Sequence, residues 1–169
     1  MALLFPTAAV PKAYDITADS LRALDIKGLI LDIDNTLTTH DHPLPDGRIL
    51  QWLDQMRAAG IRLILLSNNH SPRVAPFAKK LGLAFEADAK KPLPGGYRRA
   101  ALAMGLAPRQ TAVVGDQIFT DILGANLAGM ASILVEPFQM EPFFRFRFKR
   151  FLERGILKRY RAKQRRQSF

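Results

Sequence analysis

The chain of 169 residues contains no cysteine. That excludes a disulfide framework, a thiolate metal site and a cysteine nucleophile, and it fits a reducing compartment. Long apolar runs are missing as well. The longest uncharged one, residues 122–135, has 14 residues and includes Asn126 and Ser132, short of the ~18 needed to span a bilayer. The opening stretch MALLFPTAAVP has no basic lead and is broken by Pro6 and Pro11, so it reads as neither signal peptide nor anchor. Acids are scarce in one place only. Residues 141–169 hold 2 Asp+Glu against 11 Lys+Arg, whereas residues 1–140 hold 13 against 14. The net charge of +10 therefore sits almost wholly in the last 29 residues. Such a break divides a nearly neutral body, 1–140, from a basic extension, 141–169, whose partner is anionic: a membrane surface, a nucleic acid or a phosphorylated substrate. Hydrophobic residues at 48% and charged ones at 24% are ordinary globular usage, which excludes a wholly disordered chain.

The body alternates short apolar runs with helical patterns and has no internal repeat. Residues 28–33 (GLILDI), 61–66 (IRLILL), 83–85, 111–114 (TAVV) and 131–135 (ASILV) read as strands. Between them, residues 46–59 form a helix with Ile49, Leu50, Leu53 and Met56 on its apolar face, Trp52 and Met56 being core residues, and Gly60 at its end. A second helix begins with Ser71 as N-cap and Pro72 in its first turn, and ends at Gly82. KPLPGG (91–96) reads as a loop before a helix over 97–104, and a last helix covers 120–128. Strands alternating with helices predict an α/β fold with a Rossmann-like, doubly wound, mostly parallel sheet.

In such folds ligands bind beyond the carboxyl ends of the strands. Those ends carry Asp32 and Asp34, then Ser67, Asn68 and Asn69, then Lys90 and Lys91, then Asp116 with Asp121 five residues on. Several carboxylates around one point need a cation to stay ionised. All-oxygen ligands suit Mg²⁺ completed by a substrate phosphate. A carboxylate can attack phosphorus and divide one displacement into two. A second acid two residues away can protonate the leaving oxygen and then activate water. A lysine and a hydroxyl can hold the phosphoryl oxygens. The inventory suits hydrolysis of phosphomonoesters.

DIDNTL (32–37), the strand ending at Ser67, Lys91-Pro92 and GDQIFTD (115–121) resemble, in order and spacing, the four motifs of the haloacid dehalogenase-like phosphatases. The resemblance implies Asp32 as nucleophile and Asp34 as general acid/base, with the Asp34 main-chain carbonyl on Mg²⁺. It implies Ser67 on the transferring phosphoryl group, and Lys91 neutralising nucleophile and phosphate. Lys90 is the alternative; Lys91 is preferred because the family lysine commonly precedes proline. Asp116 and Asp121 complete the metal set with Asp32 and Asp34, and Asn68 joins Ser67 and Lys91 as a substrate contact. An acid at position 34 argues for a phosphatase, because dehalogenases of the superfamily lack it. The 33 residues from Asp34 to Ser67 and the 24 from Ser67 to Lys91 leave no room for a cap domain. The site should be open, as in capless members (subclass IIIA) that act on large or surface-presented substrates.

The extension reads EPFFRFRFKRFLERGILKRYRAKQRRQSF. On a helix, Phe144, Phe148, Leu152, Ile156 and Tyr160 form an i, i+4 ladder beside Phe151, amid Lys and Arg. Such a helix suits an anionic membrane interface. Basic plus aromatic also describes RNA or ribosome binding, and packing of the ladder on the body is the third reading. The whole chain resembles the YqeG-type branch of the capless phosphatases, which has a mitochondrial relative acting on phosphatidylglycerophosphate. That implies phosphatidylglycerol synthesis at the cytoplasmic face of the membrane, with peripheral contact through 141–169. The alternatives are a phosphatase of soluble, protein or nucleic-acid phosphates, or an RNA-associated binding protein. His40, Asp41 and His42 are better explained by loop polarity than by metal binding. Arg98 and Arg99 are either head-group contacts or exposed helix surface.

Overall fold

The structure is a computed structural model that describes residues 2–39, 44–139, 155–160 and 162. Six strands form one sheet: β1 (Ala8–Val10), β2 (Gly28–Leu31), β3 (Arg62–Leu66), β4 (Ala84–Glu86), β5 (Thr111–Gly115) and β6 (Ala131–Val135). Their order is β1-β6-β5-β2-β3-β4, and every pairing is parallel. Five α-helices connect or precede them: α1 (Ala18–Ala23), α2 (Gly47–Ala58), α3 (Ser71–Leu81), α4 (Pro94–Ala103) and α5 (Leu123–Ala128). From β2 the chain winds outward to β3 and β4, then returns to β2's other side as β5 and continues to β6. The winding thus reverses between β2 and β5, where doubly wound folds open a crevice at the carboxyl ends.

Both faces of the central strands are covered. Leu29 and Leu31 of β2 point into a core that includes Trp52, Leu53, Leu65, Phe77 and Val114, under α2 and α3. Ile30, between them, points the other way, among Ile64, Tyr97, Ala101, Val113 and Ala125, under α4 and α5. The period-two alternation of a strand turns one apolar run into two layers. Trp52 Nε1–H donates to the Ile16 carbonyl at 2.9 Å, which fastens α2 to the lead-in segment. Among the described residues, no cap domain covers the carboxyl edge; a loop and α2 precede β3, and α3 alone separates β3 from β4.

Several local expectations shift. Leu50 is 37% exposed, whereas Trp52, expected in the core, lies on the buried face of α2 with Ile49, Leu53 and Met56. His70, not Ser71, is the N-cap of α3; Ser71 opens the helix itself. The expected KPLPGG loop is half helix: α4 starts at Pro94. Proline at the first turn loses no hydrogen bond, and Gly96 lets that turn lie on Ala89, whose carbonyl a Cβ there would meet at 2.6 Å. The last helix begins earlier than Thr120, with a π-helical turn over Ile118–Ile122 that runs into α5. The strand β1 lies in the N-terminal stretch that Pro6 and Pro11 interrupt. As a three-residue edge strand along β6 it needs no long apolar run, and the prolines flank it.

Candidate active site

The sheet register assembles the site. Leu31 pairs with Val114 and with Leu65. Asp32, one residue beyond Leu31, donates its N–H to the Val114 carbonyl at 3.0 Å. Asp116 follows β5, and Ser67 follows β3. Asp32, Asp116 and Asp121 are all buried, and a carboxylate oxygen of each lies within 4.8 Å of the others. Asp121 reaches them from the π-helical turn, and the Gln117 N–H donates to its Oδ2 at 3.2 Å. The Lys91 ammonium enters the same cluster and donates to Asp32 and, at 2.7 Å, to Asp121. Its side chain is 6% exposed, whereas Lys90 lies on the surface. Of the two lysines considered, Lys91 is the one in contact with the acids.

The electrostatics follow from burial. Desolvation pushes the Asp32 carboxyl up to about 6; Lys91 pulls against that shift, and Asp121 and Asp34 add to it. Burial works against the charge on Lys91 too, but Asp121 and Asp32 outweigh it and hold its pKa above the ordinary lysine value. Three ionised carboxylates with one ammonium leave an excess of two negative charges. A divalent cation matches that excess, and an all-carboxylate donor set suits a hard one. The residues fit such an ion.

Asp34 stands slightly apart. It is outside the group of three, half-buried, and accepts from Asn69 Nδ2 at 3.0 Å; Arg73 Nη2 lies 3.8 Å from its other oxygen. Ser67 is buried, and its hydroxyl accepts the Asn69 N–H at 3.1 Å. Asn68 is exposed beside Lys91. Its Oδ1 accepts the Lys91 N–H at 2.6 Å and its Nδ2 donates to the Lys91 carbonyl at 3.3 Å, so its amide brackets the lysine's backbone. Arg99 binds Glu86 at 3.0 Å. His40, Asp41 and His42 lie outside the described residues.

Thr36, Arg73 and Gly115 carried no role in the sequence reading, and Asn69 stood there only among the strand-end residues. Thr36 is buried and donates to Asp32 Oδ2 at 3.2 Å. Asn69 and Arg73 hold Asp34. Gly115 makes room: a Cβ there would collide with the Asp121 carboxylate. Thr36 and Gly115 stand inside the DIDNTL and GDQIFTD motifs, so adjacency was a usable signal for them. Nothing local distinguishes Arg73 from other helix-surface arginines.

The extension touches the back of this turn. Residues 155–160 are helical; Ile156 and Leu157 pack against Ile118, Ile122 and Leu134, and the Tyr160 ring lies 5.9 Å from that of Phe5. Lys158 and Arg159 are exposed. The packing reading therefore holds for Ile156 and Tyr160. Phe144, Phe148, Phe151 and Leu152 lie outside the described residues.

Known proteins agree with the geometry. The model of haloacid dehalogenase-like hydrolases matches residues 39–129. The chain is 37% identical over 158 residues to Probable phosphatase YqeG of Bacillus subtilis (strain 168), covering 94% of this chain and 92% of that protein. It is 30% identical over 152 residues to chloroplastic phosphatidylglycerophosphate phosphatase 1 of Chlamydomonas reinhardtii, covering 83% of this chain but 56% of the longer relative. Among solved structures, the cobalt-bound deoxy-D-mannose-octulosonate 8-phosphate phosphatase YrbI of Haemophilus influenzae shares the fold. Its TM-score is 0.53 at 21% identity, over 66% of this chain and 69% of that one. With the motifs at the strand ends, the clustered acids and this likeness along nearly its whole length, the chain belongs to the haloacid dehalogenase-like hydrolases and is a phosphomonoester phosphatase of that family.

Proposed function

We propose that this phosphatase uses Mg²⁺ and an aspartyl-phosphate on Asp32, and that its substrate is phosphatidylglycerophosphate at the cytoplasmic face of a membrane. The observation that carries the mechanism is the Lys91 ammonium held between Asp32 and Asp121 at the open carboxyl edge. An Asp32 oxygen attacks phosphorus and the bond to the leaving oxygen breaks. Asp34 gives that oxygen its proton, so the alcohol departs neutral. Asp34 then takes a proton from water, which attacks the same phosphorus, frees phosphate and restores the Asp32 carboxylate. Ser67 and Lys91 hold the phosphoryl oxygens through both steps, and Thr36 fixes the Asp32 carboxylate. When bound by Asp32, Asp116 and Asp121, with the Asp34 main-chain carbonyl, Mg²⁺ supplies charge that offsets the acids and the phosphate.

The lipid assignment draws on the 30% identity to a phosphatidylglycerophosphate phosphatase and on two physical features. An uncapped edge admits a head group still anchored in a bilayer. Residues 141–169, the appended segment beyond the 1–140 body, are strongly basic, and a cationic segment seeks an anionic surface. Ile156 and Leu157 tie that segment to the body while Lys158 and Arg159 stay exposed. No helix among the described residues is long and apolar enough to cross a membrane, so the contact proposed is peripheral. The test is phosphate release with Mg²⁺ from phosphatidylglycerophosphate in anionic vesicles, beside a panel of soluble phosphomonoesters, with Asp32→Asn as blank. Preference for the lipid is expected. Equal or faster turnover of soluble esters would remove the lipid and turn attention to RNA as the partner of the extension.

A further inference from the structure

A cleft of about 210 Å³ opens beside the acids, between the segment after β2 and helix α3. Its lining includes Asp34 and Asn69 together with Thr39, Arg73, Phe77 and Lys80. Three of these, Arg73, Phe77 and Lys80, recur at i, i+4 and i+7, so one face of α3 gives the cleft two cations flanking an aromatic wall. The Thr39 hydroxyl oxygen is buried with no hydrogen-bond partner among the described residues. At ~30 Å³ per water, the space holds several waters' worth of a small polar group.

Its place relative to the chemistry gives it meaning. The acid that protonates the leaving oxygen must face the alcohol side of the substrate, and Asp34 lines this cleft rather than joining the group of three. The departing alcohol therefore lies where Arg73 and Lys80 are. A neutral alcohol makes no use of two cations. We infer that this cleft is a leaving-group subsite in which Arg73 and Lys80 receive a second anionic group carried by the substrate's alcohol, with Phe77 against its carbons. The guanidinium suits a phosphodiester or carboxylate geometrically, and the exposed ammonium of Lys80 adds a second positive charge. The inference rests on the phosphatase reading with Asp34 as acid; it does not rest on the lipid.

The test compares kcat/KM of the full chain for glycerol 3-phosphate, whose leaving alcohol is neutral, with that for glycerophosphoglycerol phosphate, whose alcohol carries a phosphodiester but no acyl chains. Phosphatidylglycerophosphate in vesicles is the third arm. We expect glycerophosphoglycerol phosphate, the soluble ester with a second anionic group, to be preferred at least about tenfold, and Lys80→Glu and Arg73→Gln each to cut that ratio about tenfold. Lys79→Glu makes the same charge change as Lys80→Glu, on the same helix but outside the cleft, and should leave the ratio within about twofold. Thermal melts check folding, and Lys80→Gln is the milder variant if Lys80→Glu melts early. A ratio that survives both substitutions overturns the subsite. A preference seen only on vesicles also overturns it, because the surface is then the source of selectivity. If neither soluble ester nor lipid is hydrolysed, the phosphatase reading fails and the subsite falls with it.

Discussion

The acids at the carboxyl edge and the basic extension use charge in opposite ways. Asp32, Asp116 and Asp121 are buried, so each charge is costly; Thr36 and Lys91 hold Asp32, and Lys91 and the Gln117 N–H hold Asp121. Lys158 and Arg159 stand in solvent on a helix that is tied down by its apolar side. Charge out of water acts at one point and with geometry; charge in water acts over a surface and by number.

The comparison breaks most directly at Asp32. Asp32→Asn keeps the side chain's size and removes the proposed nucleophile, so turnover of a small soluble phosphomonoester should fall on the order of 10⁴-fold while the circular dichroism spectrum stays native. Retained turnover would sink the aspartyl-phosphate. Gly115→Ala tests whether the acid site depends on geometry: the new methyl must displace Asp121, and a loss of about 100-fold in kcat/KM is expected, since misplacement of about 1 Å costs that much. A fully active variant would mean that Asp121 is not needed where it sits.

A gentler probe is pH. The folded-state pKa of Asp32 is raised from 3.8 to about 6. Between those values the metal-free fold holds a proton that the unfolded chain has released, so its stability falls as pH rises through this window. A divalent cation needs the ionised form. The rise in Tm on adding Mg²⁺ should therefore be full near pH 7.5 and fade below about 6, where a further unit of pH weakens metal binding about tenfold. A Mg²⁺-induced shift of equal size at pH 5 and pH 7.5 would remove proton competition from the site. The smallest effect belongs to the surface charges. Replacing Lys158 or Arg159 with Gln should weaken binding to anionic vesicles about fivefold each, at about 1 kcal/mol per basic residue near the surface. Added salt should weaken wild-type binding as well. Vesicle binding unmoved by both substitutions and by salt would separate the extension from membranes.

The sequence displayed the site in four pieces, each at the end of an apolar run. Asp32, Ser67 and Asp116 were legible because strand ends carry ligands in this fold class, and the Lys90-Lys91 pair because the motifs keep their order. The strand β1 was not legible: three residues have no periodicity, and their partner β6 lies more than 120 residues away. Trp52 was legible as core, and its indole N–H reaches the Ile16 carbonyl; Leu50 was misplaced because it lies at the margin of the stripe formed by Ile49, Trp52, Leu53 and Met56.

By itself, the sequence determined the parallel α/β architecture, the absence of a cap from the lengths between motifs, the acid-and-lysine inventory and the concentration of positive charge in 141–169. These are local properties, set by composition, period and spacing. Only the tertiary structure decided that Lys91 rather than Lys90 meets the acids, that Asn68 holds the lysine's backbone, that Arg73 reaches Asp34, and that Ile156 and Leu157 seat on the turn carrying Asp121. Each of these joins residues from different elements. Their meeting is set by sheet register and helix packing, and no short stretch of sequence contains that information.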